Sequence, residues 1–189
     1  MKRLILVSFI SLLCFSATHA QATDKPFSFK YYMRLMVWGA KGQSIDDYRK
    51  HAKNLGLDLV YQKEEKSEIY LVWAQNVTYQ KGHMTETYTK TGNPTRLLNM
   101  DLTPNNGRDR FTPITITIVF PDKAAQEQFR RDGLAYGCMV NEQLDDTDID
   151  ATWTDVSGIR YNRAPGKLKT WHYIFFYQKD GMPMCTFLF

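Results

Sequence analysis

The first alternating segment of the chain, residues 27–37, places an apolar side chain at every second position. These positions are Phe27, Phe29, Tyr31, Met33, Leu35 and Val37. A period of two is typical of a strand with one apolar face, so we predict a long strand here. Ser44 and Asp47 then have capping-box spacing, and an apolar stripe from Ile45 predicts a helix that ends at Gly56.

Further strands follow in both halves of the chain. In the first half, apolar runs predict strands over 57–62 and 68–75, with a hairpin strand at 84–89. In the second half, the pattern predicts a strand at 114–120, a helix opened by Pro121 and Asp122, a short strand at 138–141, and two strands over 171–177 and 184–189. The Asp180-Gly181 pair between the last two strands indicates a tight hairpin.

This order of elements predicts an α+β fold with mainly antiparallel sheet. We interpret it as two βαβββ-like pseudo-repeats, residues 27–90 and 112–189, with one helix packed on each half. Shared secondary structure without common ancestry is the alternative. Residues 91–111, which contain Gly92, Pro94, Pro104 and Gly107, are read as the linker between the halves. Each half alone has a thin core, so residues 21–189 are expected to form one domain.

The N-terminus has the composition of a secretory signal peptide. Two basic residues, Lys2 and Arg3, precede an apolar run from Leu4 to Phe15 and a stretch of small residues. This apolar run is too short for a membrane span. We predict that residues 1–20 form a signal peptide, cleaved after Ala20 or Ala22, and that the exported chain is soluble and periplasmic or secreted.

The charge of the exported chain narrows the classes of partner. Without Lys2 and Arg3, 22 of the 24 basic residues remain against 20 acidic ones, a net charge of +2. Such a balance is not the signature of a nucleic-acid-binding protein, so we expect no nucleic acid partner. No later segment is apolar for about 20 residues, so we expect no membrane span.

Two cysteines remain after the leader, Cys138 and Cys185. In an oxidising compartment an even pair is a candidate disulfide. The alternative is two buried free thiols that pack as small hydrophobic groups. Spacing in the sequence leaves both readings open.

An alternating aspartate run is the candidate metal site. Asp146, Asp148 and Asp150 could supply three carboxylates from one turn to a hard cation such as calcium. The EF-hand pattern stops there, because Ala151 stands at its glycine position and Ser157 at its bidentate glutamate position. A solvated acidic loop is the alternative, and no cofactor other than weakly bound calcium is expected.

Catalytic motifs are weak. His51, His83 and His172 have no metal-binding spacing, and the sequence has no phosphate-binding or dinucleotide fingerprint. A small extracytoplasmic hydrolase that uses His172, His51 or the aspartates remains an alternative.

Aromatic residues on strands are the most unusual feature of the composition. Tyr and Trp are favoured in interfaces, although core packing is the commoner use of such residues. Candidate partner-binding residues on this basis are Trp73, Trp153, Trp171, Tyr173, Arg160 and Arg163. We predict a non-enzymatic binding protein, inhibitor- or immunity-like, that engages a protein through an aromatic sheet face and the insertion 142–169. A glycan or small-ligand binder that stacks its ligand on Trp73 or Trp171 is the other alternative. Deleting residues 145–163 should abolish partner binding and leave the melting temperature nearly unchanged, whereas unfolding would show that the insertion is structural.

Overall fold

A computed structural model describes residues 27–82, 85–105, 109–142, 152–162 and 171–188. Its elements, in chain order, are α1 (Phe29–Gly39), α2 (Ile45–Asn54), β1 (Asp58–Glu64), β2 (Ile69–Gln75), β3 (Val77–Lys81), β4 (Glu86–Lys90), β5 (Arg96–Pro104), β6 (Phe111–Val119), α3 (Lys123–Tyr136), β7 (Met139–Val140), β8 (Thr154–Asn162), β9 (Trp171–Lys179) and β10 (Met182–Leu188).

Within these described residues, eight of the ten strands form one sheet in the order β1-β2-β5-β6-β10-β9-β8-β7. All of its neighbouring strands pair antiparallel. Strands β3 and β4 form a separate two-stranded hairpin. The predicted α+β class with mainly antiparallel sheet is therefore confirmed.

The predicted strand over residues 27–37 is wrong, because this segment is helix α1. Its buried residues have helical spacing as well as alternation: Phe29, Tyr32, Met33, Leu35, Met36 and Gly39. The Ser28 side chain caps the helix by accepting a hydrogen bond from Tyr31 N at 3.2 Å. A segment this rich in apolar residues satisfies both periods, and packing against the sheet selects the helix.

The two other helices begin where the sequence predicts. Ser44 and Asp47 form a complete capping box at the start of α2, and Asp122 caps α3. Gly137 ends α3 in the left-handed conformation with φ 112°, which a residue with a Cβ adopts only at a cost.

The helices cover one face of the sheet and enclose the main core. Phe29 and Tyr32 of α1, Phe129 of α3 and Phe187 of β10 form a cluster whose ring centroids lie 5.2–6.4 Å apart. Gly133 of α3 allows this close approach, because a Cβ there would lie 2.6 Å from Ile159 Cδ1 and 2.7 Å from Phe29 Cε2.

The β3–β4 hairpin covers part of the opposite face. Val77, Tyr79 and Tyr88 are buried there in a second apolar cluster with residues of the main sheet. Asp180 ties the hairpin to the β9–β10 turn, since its Oδ2 accepts a hydrogen bond from Tyr88 N at 2.9 Å.

Two predicted boundaries are wrong. The predicted linker 91–111 contains β5, which lies inside the sheet between β2 and β6 and has five buried residues out of nine. The predicted insertion 142–169 contains β8, whose Ile159 is fully buried. The first half also begins with two helices, so the pseudo-repeat is not confirmed.

Among the residues described above, no helix is both long and apolar enough to cross a membrane.

Candidate functional site

One row of side chains crosses the sheet from edge to edge on the hairpin-covered face. Each member is the direct antiparallel partner of the next, so all of them lie on the same face. We call it the open row; it consists of Lys63, Tyr70, Asp101, Thr115, Leu188, Tyr173, Arg160 and Met139. Every member is exposed or half-buried. At the usual strand spacing, seven intervals make the row about 35 Å long.

The next row on the same face is closed over. It lies two residues further along each strand and contains Val72, Asn99, Thr117, Thr186 and Phe175, all buried. Thr117 Oγ1 and Thr186 Oγ1 are 2.8 Å apart, and the Tyr177 hydroxyl lies 2.8 Å from Thr186 Oγ1. These hydrogen bonds satisfy polar groups that would otherwise be costly to bury. In the centre of the sheet, the open row is therefore accessible and the row beside it is buried.

Acidic and tyrosine side chains gather at the β2–β5 end of the row. The hydroxyls of Tyr79 and Tyr88 donate to the Glu86 carboxylate at 2.9 and 2.7 Å, and Lys81 Nζ lies 3.5 Å from Glu86 Oε1. Lys81 Nζ also lies 3.5 Å from the centroid of the Tyr70 ring. The inner edge of the hairpin thus borders the row with a fixed carboxylate and an ammonium group.

Asp101 is the one carboxylic acid of the row itself. Its Oδ2 accepts a hydrogen bond from Thr115 Oγ1 at 2.8 Å, whereas its Oδ1 has no hydrogen-bond partner among the described residues. Burial raises the pKa of Asp101 to about 6, and the nearby charges of Glu86 and Glu68 add to the effect. The hydrogen bond from Thr115 and the charge of Lys81 oppose that rise.

Aromatic side chains line the β8–β9 end. Trp153 stacks on Tyr177 with ring centroids 3.8 Å apart and planes 5° apart, and it covers Phe175 at 6.2 Å. Tyr173 stacks beside Phe175 at 6.4 Å and is half-buried. Trp153 and Tyr173, both half-buried, therefore flank the buried Phe175 at this end of the sheet.

The row ends in a cleft at the β7 edge. The cleft has a volume of about 420 Å³ and is lined by Met139, Val140, Asn141, Glu142 and Arg160. Met139 is 46% exposed, and the next residue, Val140, which pairs with Ile159, is 45% exposed. Arg160 is thus placed between an aromatic surface and an apolar edge.

The structure brings three of the predicted partner-binding residues to this face: Trp153, Tyr173 and Arg160. It excludes Trp73, which is 2% exposed within the helix-covered core. The face of a strand residue depends on register, which the sequence did not supply for β2. Trp171 begins β9, but its side chain is not described, and Arg163 lies outside the described residues.

The predicted calcium ligands Asp146, Asp148 and Asp150 also lie outside the described residues. Within the part that the structure describes, no group of three or more His, Cys, Asp or Glu side chains could hold a metal ion.

Cys138 and Cys185 are free thiols in the structure, both buried in the main core. Of the two readings left open, the structure therefore shows the packed thiols. Burial raises the pKa of Cys138 to about 12 and that of Cys185 well above its ordinary value. Thiols with such pKa values are poor nucleophiles at neutral pH.

His51 lies between two aromatic rings on the helix layer. Its ring stacks on Tyr31 and Trp38 at centroid distances of 5.6 and 5.4 Å, and its Nε2 is hydrogen-bonded to the Tyr31 hydroxyl. Burial lowers the pKa of His51, which favours the neutral ring at neutral pH. His172, the other catalytic candidate, is 7% exposed on β9. His51 and His172 therefore lie on different elements, α2 and β9.

Sequence reasoning missed Tyr70, Asp101, Thr115 and Met139. Asp101 and Asn99 alternate with apolar residues along β5, which is the period-two pattern of a strand. The segment was nevertheless predicted to be a linker because it also contains Pro104 and Gly107.

The chain matches no protein-family model, no curated protein sequence and no solved structure. The open row and its surroundings are therefore interpreted from their own geometry.

Proposed function

We propose that this chain is an exported, non-enzymatic binding protein that engages a protein partner through the open row. One observation carries the proposal: an accessible row of mixed aromatic, charged and apolar side chains runs from one edge of the sheet to the other. The neighbouring row on the same face, from Val72 to Phe175, is buried. A surface about 35 Å long suits an extended protein surface better than a single small molecule.

The residue types support a protein partner. Tyrosine, methionine and arginine are enriched in protein interfaces. In the row, the half-buried Arg160 lies between the half-buried Tyr173 and the exposed Met139. A half-buried tyrosine loses little side-chain entropy on binding and provides a large contact area. This end of the row is the expected centre of the interface.

The insertion 142–169 contributes to the same surface. Its strand β8 contains Arg160, which is a member of the row. Trp153, the residue directly before β8, stacks on Tyr177. An inhibitor- or immunity-like role uses such a surface without chemistry, because binding alone blocks the target.

The alternatives receive less support from the described residues. The hydrolase candidates His51 and His172 are held in aromatic or buried surroundings. For a glycan binder, Trp73 cannot serve as a stacking platform because it lies in the core.

The test is affinity capture from the extracytoplasmic fraction of the native host, with crosslinking and quantitative mass spectrometry. Wild-type protein is compared with Tyr173→Ala and with Tyr136→Ala, a matched control in which an exposed tyrosine of α3 is removed. We expect one protein at near-equal stoichiometry with wild type and with Y136A, and a loss of about tenfold or more with Y173A. No stoichiometric partner, or equal capture by both variants, would contradict the proposal.

A further inference from the structure

A cavity of about 300 Å³ lies on the helix side of the sheet, away from the open row. It opens between the start of α1, one face of α3, the first residue of β5 and the last residues of β6. The α3 residues that line it, Ala125, Gln128, Phe129 and Asp132, have the i, i+3, i+4, i+7 spacing of one helical stripe. The volume is at the lower end of the range for small-molecule sites.

The inner wall of the cavity is apolar and largely aromatic. Tyr32, Phe129, Phe120 and Ile118 are all buried, and Tyr32 and Phe129 are in edge contact at 5.7 Å. Such a wall binds a hydrocarbon chain or ring by removing apolar surface from water.

Arg96 provides the polar group of the cavity. Its guanidinium lies 4.6 Å from the centroid of the Phe27 ring, and both residues are half-buried cavity walls. Among the described residues, no carboxylate lies within ion-pair distance of Arg96. A half-buried guanidinium of this kind is a strong donor for a planar anion.

The start of α1 adds to the positive potential. Ser28, the N-cap of α1, lines the same cavity, and the first turn of α1 contains no acidic residue. The N–H groups of a helix start carry a partial positive charge. Asp132 is the opposing charge; it lies exposed on the rim and accepts a hydrogen bond from Gln128 Nε2 at 2.7 Å.

We propose that this cavity binds a small amphiphilic carboxylate, whose hydrocarbon part packs on Tyr32 and Phe129 and whose carboxylate pairs with Arg96. The apolar wall accounts for the hydrocarbon part. The Arg96 guanidinium, which has no carboxylate partner among the described residues and lies beside the start of α1, accounts for the anion. This site is separate from the open row and does not depend on the function proposed for that row.

The probe is decanoate, with decanol as the uncharged analogue of the same chain length, and binding to the purified chain is measured by calorimetry at pH 7. Two pairs of variants locate the site. Arg96→Gln removes the guanidinium, and Arg49→Gln removes an arginine of α2 outside the cavity. Ala125→Phe fills the cavity, and Ala124→Phe adds the same ring at the neighbouring exposed position of α3.

We expect decanoate to bind more tightly than decanol. R96Q should weaken decanoate about tenfold or more and leave decanol unchanged, as expected for the loss of one charged hydrogen bond. A125F should weaken both ligands, whereas R49Q and A124F should behave as wild type. Circular dichroism checks that each variant is folded.

The proposal is overturned if neither ligand binds or if decanol binds as tightly as decanoate. It is also overturned if folded R96Q retains wild-type affinity for decanoate, or if A124F weakens binding as much as A125F.

Discussion

The two faces of the sheet differ sharply although the same strands build them. A second row, which we call the helix-covered row, lies one residue along each strand from the open row. It consists of residues that each pair directly with the next: Leu71, Met100, Ile116, Phe187, Ile174 and Ile159. All six are at most 1% exposed beneath the helices. The open row, displaced by a single residue, holds tyrosines, charged residues and a threonine at exposed or half-buried positions.

This contrast shows how the chain separates stability from recognition. The helix-covered row can hold only apolar side chains of fitting volume, because close packing tolerates neither voids nor unpaired polar groups. The open row contributes less to the core, so its side chains can vary with function. Substitutions at neighbouring positions of one strand should therefore have very different effects.

The largest effect is expected from deleting residues 145–163. The deletion removes β8, including Ile159, which pairs with Ile174 of β9 and is fully buried. We therefore expect loss of the cooperative thermal transition measured by circular dichroism. This reverses the expectation from sequence, which treated the segment as an appended insertion. A transition near the wild-type temperature would show that the strand is dispensable.

The next test compares Phe187→Ala with Leu188→Ala, neighbours on opposite faces of β10. Phe187 is 0% exposed and contacts Phe29, Tyr32 and Phe129, so its loss should lower the free energy of unfolding by about 3–5 kcal/mol. Leu188 is half-buried in the open row, and its loss should cost about 1 kcal/mol. Urea denaturation measures both. Equal losses would contradict the distinction between the faces.

A smaller effect is expected from the pH dependence that Asp101 gives the open row. Its pKa of about 6 in the folded state exceeds the ordinary value of 3.8, so the folded protein binds this proton more tightly than the unfolded chain does. The resulting stabilisation is complete below the unfolded pKa and is lost as the pH rises through about 6. Asp101→Asn should therefore stabilise the protein at pH 7 by about 1–3 kcal/mol.

The D101N measurement is urea denaturation from about pH 4 to pH 7, with Asp58→Asn at the exposed edge strand as the control. The decline in stability attributable to Asp101 should disappear in D101N and persist in D58N. Parallel pH profiles for wild type and D101N would show that the Asp101 carboxyl is not the source of the pH-dependent loss of stability.

The smallest effect concerns the attachment of the hairpin. Asp180→Ala removes the acceptor for Tyr88 N and should cost about 1 kcal/mol, whereas Asp180→Asn keeps an acceptor and tolerates the left-handed backbone at φ 53°. Hydrogen exchange of β3 and β4 should speed up in D180A only. Unchanged exchange in D180A would show that side-chain packing alone holds the hairpin.

Local signals in the sequence predicted much of the fold. Ser44 with Asp47, Asp122, and the Asp180-Gly181 turn each fix local backbone geometry through a few neighbouring residues, and each is found where predicted. Helix α1 was mistaken for a strand because its apolar residues fit both periods, and only the sheet beneath it selects one.

The candidate site was only partly predictable. Tyr173 and Arg160 were identified by residue type, but their alignment with Asp101 depends on pairing between strands distant in the chain. Trp73 has the same residue type as Trp153, and register places it on the other face. Long-range strand order, which no local pattern encodes, therefore decided the site.

The most direct test of the open row as a binding surface is photocrosslinking in the native host. A photoreactive amino acid replaces Met139, in the row, or Val37, on the helix layer; these positions are 46% and 51% exposed. We expect a discrete adduct with one protein from position 139 and none from position 37. An adduct from position 37 alone, or from neither position, would contradict the assignment of the open row as a binding surface.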